Sequence, residues 1–267
     1  MPKARRVKRI LNVVPSRETE RDWRFEHADR AGLLAAGRAA APASKDLRER
    51  WWRIGDQGGS GSCVGWATAD GVLRWHFVKA GRLKQPEMLS PRFTWMASKE
   101  TDQFHSAPTT FIEVAGTSIK AALDVARKYG AVREKVLPFD AGTLFSGEEE
   151  EFYARAAKYK IASYFNLSLR RASDIEQWRR WIAENGPILT RLDVDRTWQR
   201  AGDTGGNLDS YRKETADGGH AVALVGYTPD RFIVRNSWGT DWGDKGFGYA
   251  SLAYAQDAFT EAYGVAT

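Results

Sequence analysis

A chain of 267 residues and 29.9 kDa, with 42% hydrophobic and 28% charged residues, is globular in composition and long enough to bury a sizeable core as one large domain or two packed subdomains. No apolar run approaches the ~20 residues that a membrane-spanning helix needs, so no membrane span is expected. The formal net charge is +6, but Lys3, Arg5, Arg6, Lys8 and Arg9 supply five of those charges; the rest of the chain is close to neutral, and no nucleic acid is expected as a partner.

Residues 1 to 41 read as an N-terminal extension, with a basic head, a mixed stretch around Asp22-Trp23-Arg24-Phe25 and an Ala-rich run in which Ala28 to Ala40 could form a weak helix. The basic head is not followed by the ~7 to 15 apolar residues of a secretory signal, so a cytoplasmic location is expected, with export by a non-conventional route left open. The extension is free to bind a partner or the cleft of the domain that follows, which is taken as residues 42 to 267. Gly55 to Ser62 is a Gly/Ser-rich loop. From there apolar positions at spacings of three and four run to Gly81, which predicts an amphipathic helix from Ser62 to Ala80 with Cys63 in its first turn.

Further helices are expected over 91 to 100, 117 to 129 and 147 to 158, the last with Glu148 to Glu151 at its start in the order the helix dipole favours. The helix from Ala172 to Glu184 has a Ser173/Glu176 capping-box pattern and a stop at Asn185-Gly186-Pro187. After Pro187 the pattern turns to β, with strands at Ile188 to Val194, Ala221 to Tyr227, Phe232 to Asn236 and Phe247 to Ser251, and a hairpin turn at Thr228-Pro229-Asp230. The fold class is therefore α+β, helical first and β-rich second.

Cys63 is the only cysteine, which rules out an intrachain disulfide and suits a reducing compartment. Alone, a cysteine on an amphipathic helix is more often an inert core residue than a nucleophile. A helix N-terminus and a nearby imidazolium would both favour its thiolate. His220 follows Gly218 and Gly219 and opens an apolar strand, and Asn236-Ser237-Trp238-Gly239 with Trp242-Gly243 closes the next one. Each segment alone would pass for a turn or a core element.

Together these segments resemble the papain family of cysteine peptidases. Gln57 lies six positions before Cys63 and His220 sixteen before Asn236, which are the family's spacings. The resemblance runs from Asp46-Leu47-Arg48, through Leu89-Ser90-Pro91, Gly116-Thr117-Ser118 and Asn185-Gly186-Pro187, to about Ala250. It implies a two-subdomain fold, with a helical N-terminal half, a β-barrel-like C-terminal half and the cleft between them. It also implies Cys63 as nucleophile, His220 as acid/base, Asn236 orienting the histidine and Gln57 completing the oxyanion hole. Gly61, Ser62, Gly219, Trp238 and Trp242 would line or support the cleft, and the partner would be a peptide or protein substrate. No cofactor or metal is implied.

The chain departs from the family in several places. Ser60 and Val64 stand where the family signature has a second cysteine and an aromatic, the latter displaced to Trp66. Gly219 stands where plant and animal members carry Asp or Asn. Cys63 and His220 are 157 positions apart, above the usual ~130 to 150, so an insertion is expected between 140 and 215. The extension is shorter than the family's usual inhibitory propeptide, and these features look bacterial. His27, His76 and His105 form no H-E-x-x-H pattern, and zinc is not expected. Two other uses of the same residues stay open: a transpeptidase, ligase or transglutaminase-like acyl transferase, and a catalytically silent binding module.

Overall fold

The computed structural model describes residues 8–35, 41–102, 116–140, 142 and 145–267. His105 and the head of the basic arm lie outside them, as do residues 36–40 of the Ala-rich run. Helix α1 (Phe25–Arg30) is much shorter than the expected Ala28 to Ala40 helix: Gly32, at φ 73°, turns the chain away just after its end. A short strand β1 (Lys45–Asp46) opens the part of the chain that carries the site.

The long helix after the glycine-rich loop forms as expected but not uniformly. It begins as α2 (Cys63–Thr68), passes through a π-helical turn over Ala69–Leu73 and continues as α3 (Arg74–Lys79), with Gly81 at φ 69° ending it. Helices α4 (Pro91–Thr101), α5 (Ile119–Lys128) and α6 (Glu149–Ala157) lie close to their predicted spans. Ser90 and Ser118 cap α4 and α5 by accepting the N–H groups of Phe93 and Ala121.

Helix α7 (Ile175–Glu184) corrects the capping-box expectation. A 3₁₀ turn over Ala172–Asp174 shifts the start, and Asp174, not Ser173, takes the unpaired N–H groups of Arg170 and Arg171. A carboxylate is the better acceptor at that end of a helix. The expected stop holds: Asn185 and Gly186 donate to the Trp181 carbonyl, with Gly186 at φ 110°. Two short helices follow, α8 (Arg196–Gln199) and α9 (Leu252–Ala258).

The strands are β2 (Ser163–Asn166), β3 (Ile188–Val194), β4 (Asn207–Leu208), β5 (Gly218–Tyr227), β6 (Arg231–Arg235), β7 (Phe247–Ser251) and β8 (Phe259–Ala266). They form one sheet in the order β2-β8-β3-β5-β6-β7-β4, with β1 on β5. The sheet is not closed into a barrel, which corrects that part of the expected description. Helix α2 packs on β5, and in the π-helical turn that follows a Cβ on Gly71 would sit a tight 3.1 Å from that of Ala223. The helix that carries Cys63 thus lies against the strand that carries His220. Among the described residues no helix is long and apolar enough to cross a membrane.

Candidate active site

Four segments meet at the site. The loop before α2 brings Gln57, α2 brings Cys63, β5 brings His220 in its third position, and the end of β6 brings Asn236. The Oδ1 atom of Asn236 lies 2.8 Å from His220 Nε2 and also accepts the Ser237 N–H at 2.8 Å, so the asparagine carbonyl is fixed by its own backbone. With Nε2 taken, His220 Nδ1 is buried and has no hydrogen-bond partner among the described residues. The backbone of Ala221, the residue after His220, lies close enough to the Cys63 thiol to favour its charged form.

Gln57 is fully buried and held from both ends. Its Oε1 accepts the Ser237 hydroxyl at 2.8 Å, and its Nε2 donates to the Ser60 carbonyl at 3.0 Å, which leaves a second amide hydrogen to spend. Ser60, where the family has a cysteine, instead makes a hydroxyl pair with Ser62 at 2.7 Å and donates to the Gln57 carbonyl at 2.6 Å. Hydrogen bonds thus shape the loop where a disulfide would otherwise begin. Gly61 and Ser62 are buried beside Cys63.

Trp238 lies 4.8 Å from His220, ring to ring, with planes tilted by 39°. It covers the Asn236 bond from one side. Trp242 packs 4.5 Å from Trp198, whose ring is edge-on to His220 at 5.7 Å. Trp198 was not legible as a site residue, because it lies beyond Asn185-Gly186-Pro187 in the segment where an insertion is expected and belongs to no motif. Ser237 was missed as well; its position inside the Asn-Ser-Trp-Gly run was the only signal.

Residues 9 to 16 of the extension run along this site and bond to both of its walls. On one wall the Val13 N–H donates to the Gly219 carbonyl at 3.2 Å, and on the other the Val14 N–H donates to the Thr117 carbonyl at 3.2 Å. The approach needs glycine on both sides: a Cβ on Gly219 would stand 2.2 Å from the Val13 oxygen, and one on Gly116 would stand 1.7 Å from the Asn12 oxygen. Downstream, the Ser16 N–H reaches the Glu261 carboxylate at 2.9 Å. Upstream, the Arg9 guanidinium binds Asp56 and the carbonyls of Gly58 and Trp238.

Cys63 and His220 are both fully buried in this arrangement. Burial pushes the Cys63 thiol up to about 11, against the help of N–H groups from Ala221, Val64 and its own backbone. Burial also pushes His220 down to about 4; the Asn236 bond opposes this and the Arg9 charge adds to it. The expected thiolate–imidazolium pair is therefore disfavoured in the covered site, because desolvation works against both charges and outweighs the helix end.

Comparison with known proteins decides the family. The papain family cysteine protease model matches residues 41–265. The chain belongs to that family. It is 28% identical over 221 residues to a cysteine protease of Blomia tropicalis, covering 80% of this chain and 62% of that protein. A cathepsin L-like proteinase of Fasciola hepatica is 25% identical over 223 residues, 79% of this chain and 61% of that protein. The chain thus spans about three fifths of the length of these relatives. Among solved structures, xylellain, a cysteine protease from Xylella fastidiosa, superposes with a TM-score of 0.76 at 24% identity over 99% of this chain and 98% of its own, a likeness of fold.

Proposed function

We propose that this family member hydrolyses peptide bonds through a Cys63 thioester, once residues 9 to 16 have left the cleft. The observation that carries the reading is the His220 ring, held through Nε2 by Asn236 Oδ1 at 2.8 Å, with Nδ1 unpartnered among the described residues and next to the helix that carries Cys63. Asn236 orients the ring without adding a charge that would draw the proton away from sulfur.

In the uncovered site, water reaches both groups and the desolvation that keeps them neutral falls away. A proton then passes from Cys63 Sγ to His220 Nδ1, and the thiolate attacks the scissile carbonyl carbon. The oxyanion takes the free Gln57 amide hydrogen and the Cys63 backbone N–H. The imidazolium gives its proton to the leaving amine. It then takes one from the water that attacks the thioester, and the returning proton restores the thiol or the ion pair.

The same reading assigns residues 9 to 16 a blocking role. They bond to Gly219 and Thr117 on opposite walls, where an extended substrate backbone would have to lie. Replacing Cys63 by alanine tests the assignment. The variant is expected to fold like the native chain and to lose hydrolysis of a peptide library; retained cleavage overturns the proposal.

A further inference from the structure

We propose that Asp56, the carbonyls of Gly58 and Trp238 and the face of the Trp238 ring form a binding site for an arginine side chain of the substrate, which Arg9 fills while the extension lies in the cleft. The inference rests on the peptidase reading above and names one feature of the substrates that site would take.

The arrangement matches a guanidinium group rather than a positive charge in general. Arg9 Nη1 lies 2.5 Å from Asp56 Oδ1 and 2.7 Å from the Gly58 carbonyl. Its Nη2 lies 3.0 Å from the Trp238 carbonyl and 3.4 Å from Asp56 Oδ2. The guanidinium carbon lies 5.7 Å from the centre of the Trp238 ring. Two nitrogens at the ends of a planar fork thus meet three separate acceptors, with an aromatic face alongside. A lysine would bring a single nitrogen to a site built for two.

The acceptors are fixed by the protein and do not depend on Arg9 for their positions. Asp56 Oδ1 takes the Gly58 N–H at 2.8 Å, with Gly58 at φ 61°, and Asp56 pairs with Trp238 as an isolated antiparallel bridge. Gly239, at φ 76°, leaves room for the carboxylate: a Cβ there would stand 2.9 Å from Asp56 Oδ2. Burial alone would raise the Asp56 carboxyl, but the Arg9 guanidinium and the Gly58 N–H outweigh it and hold the group below its ordinary value. With Arg9 in place, Asp56 is therefore held as the anion that pairs with a guanidinium.

The site also lies where a substrate must pass. Asp56 adjoins Gln57, the oxyanion donor, and Trp238 is the ring that covers the His220–Asn236 bond. An arginine held there would belong to a residue near the scissile bond. When the extension leaves, it exposes a charged site that a substrate arginine can re-occupy, so the segment that blocks the cleft and the substrate that opens it compete for the same carboxylate.

The test uses the full chain with Arg9→Ala to vacate the site and Cys63→Ser to prevent turnover. Its probes are peptides that differ only in carrying arginine or citrulline, its neutral isostere, at each position in turn. At one position the arginine peptide is expected to bind at least about tenfold more tightly than its citrulline twin. Adding Asp56→Asn should bring the pair within about twofold, and restoring Arg9 should abolish the discrimination without any change at Asp56. Equal affinities in the Arg9→Ala protein, including no measurable binding of either peptide, overturn the proposal, as does a preference that survives Asp56→Asn. Hydrolysis of the same peptides by the Arg9→Ala, Val13→Pro protein with Cys63 intact separates the two readings: preferential binding without cleavage leaves the arginine site standing and removes the peptidase.

Discussion

Loosening the extension at two points should expose Cys63 to a thiol reagent, and a minimum size for the effect follows from two of the interactions that are broken. In an Arg9→Ala, Val13→Pro variant, the Val13 N–H no longer reaches Gly219 and the Arg9 guanidinium no longer reaches Asp56. The first is a neutral hydrogen bond worth ~1 kcal/mol. The second is charge-assisted, but the Asp56 side chain is 51% exposed, so ~1 kcal/mol is the fitting figure rather than ~3. A loss of ~2 kcal/mol raises the uncovered fraction about 30-fold. With the covered thiol pushed up to about 11, almost no thiolate exists at about pH 6 except in uncovered molecules, so alkylation follows that fraction. Iodoacetamide labelling followed by intact mass should therefore run at least about 30-fold faster in the variant, and His220→Ala should remove the increase. A rate within about twofold of the native chain, with native circular dichroism retained, refutes the reasoning.

Gln57→Ala should cut turnover ~100 to 1000-fold in steady-state assays, with a smaller change in KM, because its amide acts on charge that develops only in the transition state. Asp70, buried between Arg74 at 2.8 Å and Arg235, should prove a large stability determinant. Asp70→Ala leaves two arginines facing each other without a counter-charge, and a loss of ~3 to 5 kcal/mol is expected in denaturant titration.

Much of the site was legible because its chemistry sits in short segments whose spacing survives divergence. Gln57 and Cys63 share one loop and helix start, while His220 and Asn236 sit on adjacent strands joined by a tight turn at Thr228-Pro229-Asp230. Strand β8 was not legible. It lies between β2 and β3 and is buried on both faces, so Phe259–Ala266 shows no alternation, and Gly264 sits there because the Trp181 ring leaves no room for a Cβ. The path of the extension was not legible for a different reason. Residues 9 to 16 take their shape from bonds to Gly219, Thr117, Asp56 and Glu261, partners between roughly 50 and 250 positions away, and no local pattern encodes such pairings. The Asp70–Arg235 pair is similar, since a π-helical turn in the middle of the predicted helix sets the direction of Asp70.

The most direct test of the account is the fate of the thioester. A peptide is digested in water enriched in heavy oxygen with the Arg9→Ala, Val13→Pro protein, and the new C-terminal carboxylates are read by mass spectrometry. A thioester resolved by water gives heavy oxygen in the carboxylate at each cleaved bond and no cleavage when Cys63→Ala is added. Cleavage that persists without Cys63, or new amide bonds in place of labelled carboxylates, would contradict it.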